Sequence, residues 1–184
     1  MNSKQNLEDL AEKVQILLDE RDIREVLLRY CRGVDRCDAE LISSCYHADA
    51  VDDHGSWFVN GPEVAKVVLD AIKPGTAVAM HFVGNMHIEV QGDTAFAESY
   101  LLAFRNFDRD DQKYHRTRAA RFIDRFARRS GVWRIIERVV VDDWDRVDEV
   151  NLRQDGHESF RRGSKDRLDG VYAIKRGPLA RSAG

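Results

Sequence analysis

The chain has 184 residues, 43% of them hydrophobic and 33% charged, with a formal charge of −3 from 29 Lys and Arg against 32 Asp and Glu. That composition suits one globular domain able to bury a core or a small-molecule cavity, and excludes a disordered or fibrous chain. The absence of a basic excess weighs against a general nucleic-acid binder.

No apolar run approaches the roughly 20 residues of a membrane span. The first residues, MNSKQNLEDLAEKVQ, lack the apolar core of a signal peptide. Cys31, Cys37 and Cys45 are odd in number and lack zinc-ligand spacing. They are expected to be reduced, in a cytoplasmic protein.

Residues 7–31 carry apolar side chains at helical spacing. Leu7, Leu10, Val14, Leu17 and Leu18 form one stripe, and Ile23, Leu27, Tyr30 and Val34 a second. Gly33 is expected to loosen the end of this helix. A short helix is predicted at 39–46, a strand at 48–54 and a second short strand at 57–59. Gly61-Pro62-Glu63 opens another helix, with Pro at an early position that needs no N–H, and Pro74-Gly75 stops it.

The second half changes period. Strands are predicted at 76–90, bulged at Gly84, and at 94–107, 114–126 and 132–144. Gln91-Gly92-Asp93 and Arg128-Arg129-Ser130-Gly131 are the turn signals. Helices followed by four long strands indicate an α+β fold: a curved antiparallel sheet packed on N-terminal helices. The domain is placed at 1–147. Residues 148–184, with weak hydrophobic periodicity, are read as a tail packed on its own or a neighbouring subunit, with a lid over a pocket as the sharper alternative.

Asp35, at the end of the second stripe, could point into a cavity and act as a proton acceptor, or simply end a helix. His81, inside the apolar strand MHFVGN, could form a proton-transfer pair with a carboxylate, or be a core histidine on a backbone carbonyl. Tyr30 could bond a substrate oxygen, and its ring fills core either way. Arg138 could hold an anion or leaving group if it faces inward, but the strand alternation leaves its side open. Candidates for an apolar substrate wall are Tyr46, Trp57, Phe82, Tyr100, Phe104 and Trp144.

His47, Asp49, Asp52, Asp53 and His54 include metal-ligand types, but neighbouring strand residues point to opposite faces, so no metal site is expected. The basic run from Lys113 to Arg138 reads as a solvated or subunit-facing surface. There is no Gly-rich phosphate loop, no Gly-x-Ser-x-Gly turn and no zinc motif. Chemistry here is therefore expected to be proton transfer without a cofactor.

The pieces IREVLLRYCRGVD (23–35), HADAVDDHG (47–55), MHFVGN (80–85) and FIDRFARRSGVWRI (122–135), in this order and spacing, resemble the SnoaL-like branch of the nuclear transport factor two-like superfamily. The resemblance covers roughly residues 7–147. It implies a cone-shaped α+β barrel with a deep apolar pocket between sheet and helices. Several members of that family are cofactor-independent lyases, such as scytalone dehydratase, bile-acid 7α-dehydratase and lindane dehydrochlorinase.

Asp35 and His81 match the aspartate–histidine pair of such lyases. Tyr30 matches the active-site tyrosine of the bile-acid enzyme, and Arg138 the strand arginine of the dehydrochlorinase. The activity implied is elimination of water or a one-carbon fragment from a small aromatic or alicyclic compound. His81 and Asp35 would move the proton, and Tyr30 or Arg138 would stabilise the leaving group. The alternatives are an isomerase or polyketide cyclase, and a non-catalytic subunit like the small subunit of ring-hydroxylating dioxygenases. The resemblance also implies a homo-oligomer, trimer before dimer, with a small-molecule substrate, while the charge balance and the lack of an apolar span leave neither nucleic acid nor membrane expected as a partner.

Overall fold

The structure, a computed structural model, describes residues 3–72, 79–150 and 163–175. The expected stop at Pro74-Gly75, the start of the strand predicted from 76 and most of the expected tail lie outside these residues. Helix α1 spans Ser3–Asp35 and α2 Ala39–Ser43. Strands β1 (Tyr46–Asp53) and β2 (Phe58–Asn60) lead into α3 (Gly61–Ile72). Four long strands follow: β3 (Ala79–Gln91), β4 (Thr94–Arg109), β5 (Gln112–Arg129) and β6 (Val132–Glu149). A short helix, α4 (Gly170–Ile174), comes last. No helix among the described residues is long and apolar enough to cross a membrane.

The six strands form one sheet in the order β2-β1-β6-β5-β4-β3. The α+β reading holds, with one correction: the sheet is mixed, because β1 runs parallel to β6. The last strand, β6, lies beside β1, distant in sequence, a pairing that no hairpin signal announces. The long strands are joined by tight turns. Ser130 and Gly131 both take positive φ, 52° and 77°, between the paired residues Arg129 and Val132. Positive φ at both central residues is what a two-residue hairpin that follows the sheet's twist requires.

Helix α1 is long because 33 residues contain no Pro and only one Gly, near the end. Its two stripes have different fates. Ile23, Val26, Leu27, Tyr30, Cys31 and Val34 are buried against the sheet and α2, whereas Leu7, Leu10 and Leu17 are exposed. Asp19 ties the helix to the β5–β6 hairpin: Trp133 Nε1 donates to its Oδ1 at 2.9 Å and Arg128 at 2.7 Å.

Gly33 does not loosen the helix, which runs on to Asp35. It opens room for α2 instead, since a Cβ at Gly33 would lie 2.8 Å from Ile42 Cγ1. The helix ends where Cys37 adopts φ 49° and the Asp38 amide donates to the Gly33 carbonyl. Asp38 then caps α2 by accepting from the Leu41 amide at 3.1 Å. Strand β1 takes over at Tyr46, where the helical spacing of Leu41, Ile42 and Cys45 stops being used.

In β3 the alternation of inward and outward residues changes phase. Ala79, His81 and Val83 face inward, then Met86, Ile88 and Val90. The register slips between Val83 and Met86, so Gly84 and Asn85 together oppose Tyr100. This bulge keeps His81 on the concave face.

Candidate active site

Asp35 is the last residue of α1, and His81 the third of β3. The helix end packs on the inner face of the strand and brings the two together. His81 Nδ1 donates to Asp35 Oδ1 at 2.7 Å, and the His81 backbone amide donates to Oδ2 at 3.1 Å. Each carboxylate oxygen thus accepts one bond from the same residue. An ionised carboxylate has only acceptors, so this arrangement selects the Nδ1–H tautomer of a neutral ring and leaves Nε2 with its lone pair. Both side chains are mostly shielded, at 16% and 14% exposure.

His81 lines a cavity of about 410 Å³ between the sheet and the helices. Tyr30, Val34, Val68, Ile72 and Ala79 supply apolar wall, and Trp57 and Phe104 supply aromatic wall. Trp57 is stacked on His54, with centroids 3.9 Å apart at 16°.

His54, on this wall, belongs to a second carboxylate–imidazole contact. Its Nδ1 donates to Asp52 Oδ1 at 2.5 Å, and Asp52 Oδ2 accepts from the Tyr46 hydroxyl at 2.5 Å. Burial pushes the His54 imidazole below its ordinary value, against the opposing pull of Asp52. The stretch considered for metal ligands is thereby split among separate partners. His47 Nε2 bonds the Ala127 carbonyl, Asp49 accepts from Arg129, and His54 takes Asp52.

Arg138 faces inward but does not line the cavity. It is fully buried, donating from Nε and NH2 to the two oxygens of Asp124 at 2.7 and 2.8 Å and from NH1 to the Tyr46 hydroxyl at 3.2 Å. Its guanidinium lies 4.3 Å from the Tyr30 ring centroid and 3.9 Å from that of Phe122. The expectation that Arg138 and Tyr46 touch substrate is corrected accordingly: both are consumed by a buried network beneath the cavity wall. Tyr30 stands between this network and the cavity, and burial holds its phenol well above the ordinary value.

A second correction concerns Phe82, Tyr100 and Trp144. Strand alternation turns Phe82 away from His81, and the alternation of β4, where Ser99 and Leu101 are buried, sets Tyr100 on the same outer face. These residues line a separate hollow on that face, at 62%, 48% and 54% exposure. The sequence reading missed Arg105, Arg116 and Arg118, which do line the cavity. The last two lie in the basic stretch read as solvated surface. Their even spacing along one strand was the available signal.

The first residues of the expected tail, Asp148 and Glu149, end β6, and residues 163–175 lie against the C-terminal end of α1. Arg36 approaches Asp169 at 3.7 Å, Arg167 pairs with Asp38 at 3.3 Å, and Arg32 lies over the Tyr172 ring.

The curved sheet packed on N-terminal helices, with a cavity between them, agrees with a family match and with solved structures. The SnoaL-like domain model matches residues 15–139, and the chain belongs to that family. Among solved structures, a type 2 hexachlorocyclohexane dehydrochlorinase (LinA) aligns at 20% identity and TM-score 0.67, over 78% of this chain and 99% of that one. A scytalone dehydratase-like protein of Novosphingobium aromaticivorans aligns at 17% identity and TM-score 0.64, over 77% and 93%. A nuclear transport factor two-like protein of the same organism aligns at 27% identity and TM-score 0.58, over 73% and 88%. No curated protein matches the chain.

Proposed function

We propose that this protein is a cofactor-independent lyase acting on a small, ring-containing substrate, with the Asp35–His81 pair as its proton-transfer unit. The observation that carries the reading is the two-point clamp of Asp35 on His81 at the wall of a ring-lined cavity. His81 Nε2 takes a proton from carbon or hydroxyl, and the adjacent Asp35 carboxylate stabilises the imidazolium that forms. Where the proton comes from carbon, its electron pair forms the double bond and expels hydroxide, which takes the imidazolium proton and leaves as water; where it comes from a hydroxymethyl group, the C–O double bond forms, formaldehyde leaves, and the carbanion left on the ring compound takes that proton. Trp57, Phe104 and Tyr30 hold the ring and keep bulk water away from the charge that develops. The dehydrochlorinase and dehydratase-like structures of the same shape support an elimination over other proton-transfer reactions.

The homo-oligomer expectation is kept as part of this proposal. The exposed Phe82, Tyr100 and Trp144 on the outer sheet face, and the exposed leucines of α1, are surfaces that a second copy would cover. Sedimentation equilibrium reads the state directly.

The test of the lyase reading is a panel of hydroxylated aromatic and alicyclic compounds followed by mass spectrometry. The expected product is lighter than its substrate by the leaving group. His81→Ala and Asp35→Asn should each lower turnover by about 10²–10⁴-fold while the circular dichroism spectrum stays unchanged. Products of unchanged mass would replace the lyase by an isomerase. Full activity in either variant would remove the pair from the mechanism.

A further inference from the structure

Three arginines face the cavity from adjacent strands. Arg105 of β4 pairs across the ladder with Arg116 of β5, and Arg118, two residues on, pairs with Ala103, which in turn pairs with His81. His81, Ala103 and Arg118 thus make one straight rung, and Ala79, Arg105 and Arg116 the next. Adjacent strands lie about 4.8 Å apart and residues i and i+2 about 6.8 Å apart, so the Arg105 backbone is roughly 8 Å from that of His81. A guanidinium on a side chain of that length reaches a group bound beside the imidazole.

The three are not equivalent. Arg116 donates from Nε to Asp145 at 2.8 Å, and Arg118 donates to Asp142. Arg105 has no carboxylate partner among the described residues. It is half-buried, and its guanidinium lies 5.9 Å from the Phe107 ring centroid. Burial lowers its pKa from the ordinary value, and repulsion from Arg116 and Arg118 adds to this. Among the described residues the cavity wall holds no aspartate or glutamate. The tail brings a further cation near: Lys165 is pushed down first by burial, with Arg105 adding repulsion against the opposing pull of Cys37 and Asp35.

A desolvated cation without a counter-ion, set among other cations, costs stability. Folded proteins satisfy such groups unless a ligand does so. The planar guanidinium fork matches a carboxylate better than it matches a hydroxyl or an ether oxygen. We propose that Arg105 is an anion-recognition residue of this cavity and that the molecule bound beside His81 carries a carboxylate. This inference names a charge on the substrate of the proposed lyase and rests on that reading for taking the cavity as the substrate site.

The test uses two probes of nearly equal size, hydrocinnamate and hydrocinnamyl alcohol, in isothermal titration calorimetry with the full chain. The carboxylate should bind tighter by about tenfold or more, the worth of one charge-assisted hydrogen bond. That preference should shrink as salt is added. Arg105→Gln should bring the two affinities together by weakening hydrocinnamate and leaving the alcohol unchanged. Its melting temperature should equal or exceed that of the wild type, because a repelled cation has been removed. A melting temperature clearly below the wild type would make Arg105 structural and overturn the proposal. Equal affinities in the wild type, a preference that survives Arg105→Gln, or no binding of either probe would also overturn it. His81→Ala should keep the carboxylate preference. Undiminished turnover in His81→Ala with that preference intact would sink the lyase reading alone.

Discussion

Asp124→Asn is the substitution whose cost is most directly worked from the structure. Arg138 and Asp124 are both fully buried, joined by two charge-assisted bonds of 2.7 and 2.8 Å. Asparagine keeps the shape but withdraws the charge, leaving a guanidinium in a site of low dielectric. Removing one partner of a buried pair costs about 3–5 kcal/mol, a large share of the roughly 5–15 kcal/mol that holds a domain folded. At about 2–4 °C per kcal/mol for a chain of this size, the melting temperature should fall by roughly 6–20 °C.

The double variant Asp124→Leu with Arg138→Met removes both charges. Tyr46 still donates to Asp52, so no buried hydroxyl is stranded. The loss is then chiefly the cation over Tyr30 and Phe122, about 0.5–2 kcal/mol, against the desolvation that no longer has to be overcome. Urea denaturation of wild type, Asp124→Leu, Arg138→Met and the double variant gives the cycle. The double variant should lie within about 2 kcal/mol of wild type, far above the single. An Asp124→Asn cost under about 1 kcal/mol would refute the claim that this pair is a buried structural unit.

Three further outcomes follow from single residues. Because burial lowers the His54 pKa, the unfolded chain binds a proton that the folded chain resists, so stability falls as pH drops below about 6.5. Melting temperatures taken from neutral to mildly acid pH should show this slope, and His54→Asn should flatten it. Burial pushes the Cys31 thiol up to about 12 and also raises Cys45, so only the half-buried Cys37 should react quickly with a disulfide reagent in the native protein. Three fast thiols would contradict the packing around α1. Gly61→Ala should destabilise by roughly 1–3 kcal/mol in urea, since its Cβ would lie 2.5 Å from the His47 carbonyl oxygen. An unchanged midpoint would mean that α3 sits further from β1.

Much of the fold was legible because period carries it. The second α1 stripe, the turn glycines and the Gly84 bulge are local signals, and the structure uses each where the sequence puts it. The parallel β1–β6 pair was not legible, since nothing local to either strand names its neighbour. Residues 23–34 and 7–18 look alike as apolar stripes, yet among the described residues only the first finds a partner. Burial is decided by what packs opposite, which a helical period does not encode.

At the site, the residue types at 35 and 81 suggest proton transfer, while their contact depends on where a helix end meets a strand. Arg138 shows the reverse. Its inward side and its consumption by Asp124 were settled by a bulge at Arg125/Phe126 in the β5–β6 register, invisible to simple alternation. Arg105 escaped notice because it sits in no motif. Its distinction is the lack of a carboxylate partner among the described residues.

The central claim is that Asp35 fixes His81 with Nδ1 protonated and Nε2 presented as a base. Nitrogen NMR of the histidine ring reads this without a substrate. At alkaline pH the His81 signals should show a protonated Nδ1 and a lone-pair Nε2, and Asp35→Asn should shift the ring toward the opposite tautomer. A wild-type His81 already carrying its proton on Nε2, or a tautomer indifferent to Asp35→Asn, would contradict the account.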